Sequence, residues 1–202
     1  MILAERHGDL SIITLNRPDK ANALTADMMA TLIKAIRDHA DAKAMILTGA
    51  GKVFCAGADL DAAKAGLATS PLWEDLSGAI ANLPGLTIAA LNGTLAGGGF
   101  GMALACDLRV AVPGAKFFYP VMKLGFLPQP SDPVRMRALI GPARTKQILM
   151  AGDKVLAGDA LGMGLVDAIS DDPVAFAKGW AADAQTATAS HVGAIKAMIQ
   201  GA

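Results

Sequence analysis

Leu91-Asn92-Gly93-Thr94-Leu95-Ala96-Gly97-Gly98-Gly99-Phe100-Gly101-Met102-Ala103-Leu104-Ala105-Cys106-Asp107 is the stretch on which the fold turns. The apolar run before it, Leu86 to Leu91, reads as a buried strand. Asn92-Gly93 is a turn signal. Three consecutive glycines follow, and then an apolar segment, Gly98 to Cys106, that reads as a helix. Glycine weakens regular elements. Three together at a strand-to-helix junction imply backbone that bends sharply or lies bare against a ligand. N–H groups at a helix start lack intrahelical partners, and the macrodipole there favours negative charge. Gly97-Gly98-Gly99 is therefore a candidate anion or oxyanion site.

A second stretch, Val53-Phe54-Cys55-Ala56-Gly57-Ala58-Asp59-Leu60, follows a short apolar strand, Ala44 to Leu47. It also offers small residues where a backbone N–H could be exposed. Two such turns could aim two donors at one carbonyl oxygen, and one donor of this kind contributes about 3 kcal/mol in an acyl-transfer site.

These two stretches belong to an ordered set of motifs. It comprises Leu15-Asn16-Arg17-Pro18, Asn22-Ala23-Leu24, Thr48-Gly49-Ala50-Gly51 and Phe54 to Leu60. It continues with Asn92-Gly93, Gly97-Gly98-Gly99, Ala105-Cys106-Asp107-Leu108-Arg109, Lys123-Leu124-Gly125, Gly141-Pro142-Ala143 and Gly162 to Asp167. Each is weak alone, but the ordered set resembles the crotonase superfamily, the enoyl-CoA hydratase/isomerase family. The resemblance implies an α/β fold, a spiral of ββα units over residues 1–145. A short helical C-terminal region would follow over 146–202, within one structural domain. It implies a lyase or isomerase of fatty-acid metabolism acting on an acyl-CoA thioester. Coenzyme A would be part of the substrate, with no separate cofactor and no metal. It also implies a homotrimer or dimer of trimers. Relatives continue past the point matching Gln200 with further helices, so a more open acyl pocket is expected here.

Carried over residue by residue, the resemblance implies an oxyanion hole made by the N–H groups of Ala58 and Gly98. Ala56, Gly57, Asp59, Leu60, Gly97 and the Asn22-Ala23-Leu24 segment would line the CoA path, with Asp59 fixing its own loop. Hydratases of the family use two glutamates. The positions that match them are Gly101 and Val121, and neither residue moves a proton. Isomerases of the family keep at least one carboxylate in this region, so neither standard hydration nor ordinary isomerisation is expected. The loop Gln129-Pro130-Ser131-Asp132-Pro133 replaces a glycine-rich stretch of relatives, so Asp132 is the replacement acid/base or nucleophile, helped by Ser131, Gln129 and Tyr119. A competing reading exists. Ser131 or Asp132 before Pro133 also fits a helix start, a capping side chain followed by proline at the first helical position. A crotonase-fold acyl-CoA binder without chemistry, or a divergent hydrolase or decarboxylase, is the alternative function.

Composition bounds the rest. At 202 residues one domain with a substantial core is expected. Eighteen basic and eighteen acidic side chains cancel, and no basic stripe argues for nucleic acid. Cys55 and Cys106 sit in apolar segments, which reads as buried free thiols in a reducing compartment. No Cys/His spacing suits a metal. Met1 to Arg6 lacks a signal-peptide layout, so a cytoplasmic location is expected. The uncharged run Leu76 to Cys106 is long enough for a bilayer span of roughly 20 residues. Its Asn82, Pro84, Asn92 and glycines fit a buried strand-turn-helix better. Gly97 to Gly101 fails the dinucleotide pattern, and Gly49-Ala50-Gly51-Lys52 fails the P-loop pattern. His7, His39 and His191 are expected at the surface.

Overall fold

The structure is a computed structural model that describes residues 1–201. Strands β1 (Ile2–His7) and β2 (Leu10–Leu15) form an antiparallel hairpin across Gly8-Asp9. Helix α1 (Ala26–Asp38) starts at Thr25, whose side chain accepts from the Met28 N–H. Its buried face, Met28, Met29, Leu32, Ile33 and Ile36, has helical spacing.

A repeated unit follows. A strand turns a corner into a second, shorter strand, and a helix returns the chain. The first unit is β3 (Ala44–Gly49), β4 (Val53–Cys55), then α2 (Leu60–Lys64) and α3 (Leu72–Ala81). The second is β5 (Leu86–Leu91), β6 (Thr94–Ala96) and α4 (Phe100–Ala105). The third is β7 (Leu108–Ala111), β8 (Lys116–Phe118), α5 (Val121–Leu124) and α6 (Ser131–Leu149). The chain ends with β9 (Val155–Leu156), α7 (Ala157–Met163), β10 (Ala168–Ile169), α8 (Pro173–Trp180), α9 (Ala182–Thr186) and α10 (Ala189–Gln200).

The long strands stack as a six-stranded sheet, β1-β2-β3-β5-β7-β10, and the short ones as a four-stranded sheet, β4-β6-β8-β9. Ile46 lies opposite Ile12 on one side and Ile88 on the other, all in parallel register. The expected spiral of ββα units is what the chain forms. Strands β2, β3, β5 and β7 of the long sheet are buried on both faces, which is why they read as continuous apolar runs, whereas β1 at the edge is exposed. Ile13, Leu15, Met45, Leu47, Ala89 and Leu91 face the main core, while Leu10, Ile12, Ala44, Ile46, Ile88 and Ala90 face α8. The main core also takes in Ile148, Val155, Ala160 and Leu165, so it is continuous across residue 145.

Two local expectations change. The helix after the glycines begins at Phe100, not Gly98, because Thr94 to Ala96 pairs with β4 and β8 and Gly97–Gly99 forms a 3-10 turn. Helix α6 itself is broken at Gly141 (φ +73°), with Pro142 restarting it. His39 is half-buried, with its Nδ1 2.8 Å from the Ser11 hydroxyl, rather than at the surface. No helix among the described residues is long and apolar enough to cross a membrane.

Candidate functional site

The turns after β4 and β6 meet. Gly57 has φ +95°, and a Cβ added there would lie 3.1 Å from the Ala96 carbonyl oxygen and 3.4 Å from the Gly98 nitrogen. Only glycine allows both that conformation and that approach. The flanks of Ala58 are pinned: Leu24 N–H donates to Gly57 O and Asp59 N–H donates to Leu24 O, both at 2.8 Å. The Ala58 N–H has no partner among the described residues. Gly98 is second in its 3-10 turn, where an N–H has no carbonyl one turn back to reach. Both residues line one cavity of about 170 Å³. Two unspent donors on one cavity wall are able to hold a carbonyl oxygen that gains charge.

The cavity wall also includes Ala56, Leu60, Trp73, Gly97, Tyr119, Val121, Leu124, Phe126, Leu127 and Gln129. It is apolar apart from Tyr119 and Gln129. Trp73 backs the Gly98 turn: a Cβ on Gly98 would sit 2.9 Å from the indole ring, and the indole N–H donates to Leu67 O at 2.8 Å. Sequence reading missed Trp73 because nothing around it marks an aromatic wedge. Leu60 and Leu127 are among the most exposed large apolar residues, 79% and 88%, and stand at this wall.

Several expected site residues do other work. Asn22 is fully buried and spends its amide on the carbonyls of Ala50 and Val53 and on the Arg17 N–H. Its side chain therefore anchors the loop and does not line the cavity. Ala23 and Leu24 also stand outside the cavity wall, Ala23 accepting from Arg17 and Leu24 pairing with Ala58. Asp59 accepts from the N–H groups of Asp61 and Ala62 at the start of α2 and pairs with Arg17 at 2.8 Å. The Arg17 hydrogen bond holds its carboxyl below the usual range. Gly57 shapes the turn without lining the cavity.

Asp132 is fully buried. It lies in the first turn of α6 and caps nothing, so the capping reading fails: the helix begins at Ser131 without a side-chain cap. Instead its Oδ2 accepts from the Tyr119 hydroxyl at 2.9 Å. Its Oδ1 has no partner among the described residues. That oxygen lies 3.1 Å from where a Cβ on Gly101 would stand. A carboxyl from another helix thus occupies the space beside position 101. Burial pushes its pKa up to about 7, against the Tyr119 hydrogen bond, which lowers it. Burial, the Asp132 charge and the bond to it push the Tyr119 phenol well above its ordinary value. Asp132 does not itself line the cavity; Tyr119 does. Ser131 is spent on Glu74, donating from its N–H at 3.0 Å and its hydroxyl at 2.9 Å. Cys55 and Cys106 are buried, and desolvation pushes both thiols up to about 12, which leaves them inert.

The sequence profile of the enoyl-CoA hydratase/isomerase family matches residues 5–200. The chain belongs to that family. It is 38% identical to a Mycobacterium tuberculosis protein named "Probable enoyl-CoA hydratase EchA14", over 99% of this chain and 80% of that protein. It is 33% identical to the short-chain-enoyl-CoA hydratase of Clostridium acetobutylicum, over 83% of this chain and 68% of that one. Among solved structures it is similar to Pseudomonas aeruginosa DspI, with TM-score 0.91 and 31% identity over 99% of this chain and 86% of that one. The spiral described above is the crotonase fold.

Proposed function

We propose that this family member binds an acyl-CoA thioester and stabilises its enolate with the Ala58 and Gly98 N–H groups. A single buried carboxyl, Asp132, holds the proton that moves. The observation that supports it is the meeting of two unspent backbone donors with the Tyr119–Asp132 pair at one apolar cavity. The donors bind the thioester oxygen more tightly as it becomes an enolate, which lowers the barrier rather than merely the ground state.

The step balances as follows for a 3-enoyl thioester. The C2 proton passes to the Tyr119 oxygen as the phenolic proton passes to the Asp132 carboxylate. The C2–H electron pair enters the dienolate, whose oxygen sits between Ala58 and Gly98. Return of the proton to C4 by the same route re-forms the carbonyl and leaves the 2-enoyl thioester. One carboxyl suffices for this shuttle, and a pKa near 7 suits both directions. Isomerisation therefore fits better than hydration, which in the family's hydratases uses two carboxylates.

The test is mass spectrometry and ultraviolet absorbance of 3-enoyl-CoA thioesters of graded chain length, alongside crotonyl-CoA. Conversion of a 3-enoyl to a 2-enoyl thioester at constant mass is expected. A gain of one water on crotonyl-CoA would overturn the preference for isomerisation. A second reading, acyl-CoA binding without chemistry, is favoured by one observation: Tyr119 is the only ionisable side chain on the cavity wall. Tight binding of acyl-CoA with no change in any thioester would establish it instead.

A further inference from the structure

The carboxyl of Asp132 is useful only if it stays over Gly101. The first turn of α6 follows a proline-rich loop and has no side-chain cap, so beyond the Asp132–Tyr119 bond its place depends on contacts from other elements. What holds it is Glu74, in the first turn of α3. Glu74 Oε1 accepts both the N–H and the hydroxyl of Ser131, the residue before Asp132, at 3.0 and 2.9 Å. Arg135, one turn further along α6, donates to the same Ser131 oxygen at 2.9 Å. The neighbouring residue on α3, Trp73, is the one that backs Gly98. One helical turn therefore supports both sides of the site, one through an indole ring and the other through a carboxylate.

We infer that Glu74 is a positioning residue: by gripping Ser131, with Arg135 completing the clamp, it fixes where the Asp132 carboxyl rests beside Gly101. This deepens the proton-shuttle reading and rests on it. Glu74 stands outside the wall of the cavity that Ala58 and Gly98 share, so its effect on chemistry is indirect. It also acts through charge. The groups that face Asp132 are Tyr119 from the segment after β8, Arg135 on α6 and Glu74 on α3. Arg135 favours the ionised carboxyl and Glu74 opposes it.

The experiment follows the conversion of 3-enoyl-CoA as a function of pH, together with a carbon-13 titration of the Asp132 carboxyl, identified by its loss in Asp132→Asn. Glu74→Ala releases Ser131. It is expected to lower turnover about 10- to 100-fold with KM nearly unchanged, the scale of a misplaced reacting group. Glu74→Gln keeps an oxygen that accepts both Ser131 donors. It restores most of the turnover, while the Asp132 inflection moves to lower pH. Arg135→Gln moves the inflection to higher pH. Should Glu74→Ala fail to fold by thermal melting, Ser131→Ala and the two glutamine variants carry the test through the carbon-13 inflection. Wild-type turnover and inflection in Glu74→Ala, or Glu74→Gln as impaired as Glu74→Ala, would overturn the inference. Unchanged turnover in Asp132→Asn would instead overturn the proton-shuttle reading, so the two failures are separable.

Discussion

Ala58 and Gly98 sit in turns that touch each other through glycine, whereas Asp132 reaches the same site from a helix much later in the chain. The backbone side is written locally: a strand ends, small residues follow, and the N–H groups are left unspent. The side-chain side depends on tertiary packing at every step, on Tyr119 for one oxygen, Gly101 for space and Glu74 for register. Backbone donors are lost only to proline, while a carboxyl can be removed from one element and supplied from another. Position 101 carries no side chain, and the Asp132 carboxyl of α6 lies beside it.

The largest expected effect lies on the side-chain half and concerns stability. Asp132 titrates near 7 when folded, against a reference near 3.8. The folded state holds the proton more tightly, so its contribution is fully favourable below about pH 4 and is lost as pH rises through about 7. Urea unfolding at pH 4 and pH 8 should therefore show wild type losing on the order of 4 kcal/mol relative to Asp132→Asn. Parallel pH profiles would mean that the carboxyl is not buried as described.

Next comes the backbone half. Ala58→Pro removes one proposed donor and should cut turnover about 10²- to 10³-fold, read as the initial rate on a 3-enoyl-CoA. No side-chain substitution elsewhere should restore it. Tyr119→Phe leaves both Asp132 oxygens without a partner. Turnover is expected to fall at least about tenfold, and the Asp132 inflection to rise, since a bond favouring the carboxylate is gone. The smallest effect is a control outside both halves. Thr25→Ala deletes the α1 cap and should cost about 1 kcal/mol in urea unfolding without altering turnover.

The same division governs what the sequence makes legible. Helix α1, strand β5 and helix α7 can be read from capping and periodicity because those signals are local. Strands β9 and β10, two residues each, exist only because β8 and β7 offer pairing partners. The two turns announce themselves through clustered glycines. Asp132 is visible as a candidate, but its cap-like context is equally good until Tyr119 is seen beside it. Glu74 and Trp73 carry no local signal, since their partners Ser131 and Gly98 lie in other units of the spiral. Asn22 misleads for a related reason: its motif is conspicuous because it holds a corner of the chain, not because it meets a ligand.

The measurement that bears most directly on the account is the pH dependence of 3-enoyl-CoA conversion, comparing wild type with Asp132→Asn. A shuttle through one carboxyl predicts that wild type converts the thioester with a rate that rises through an inflection near pH 7. Asp132→Asn should lose both the rate and the inflection while still binding the thioester. Undiminished conversion by Asp132→Asn, with the same inflection, would contradict the assignment of Asp132 as the proton carrier.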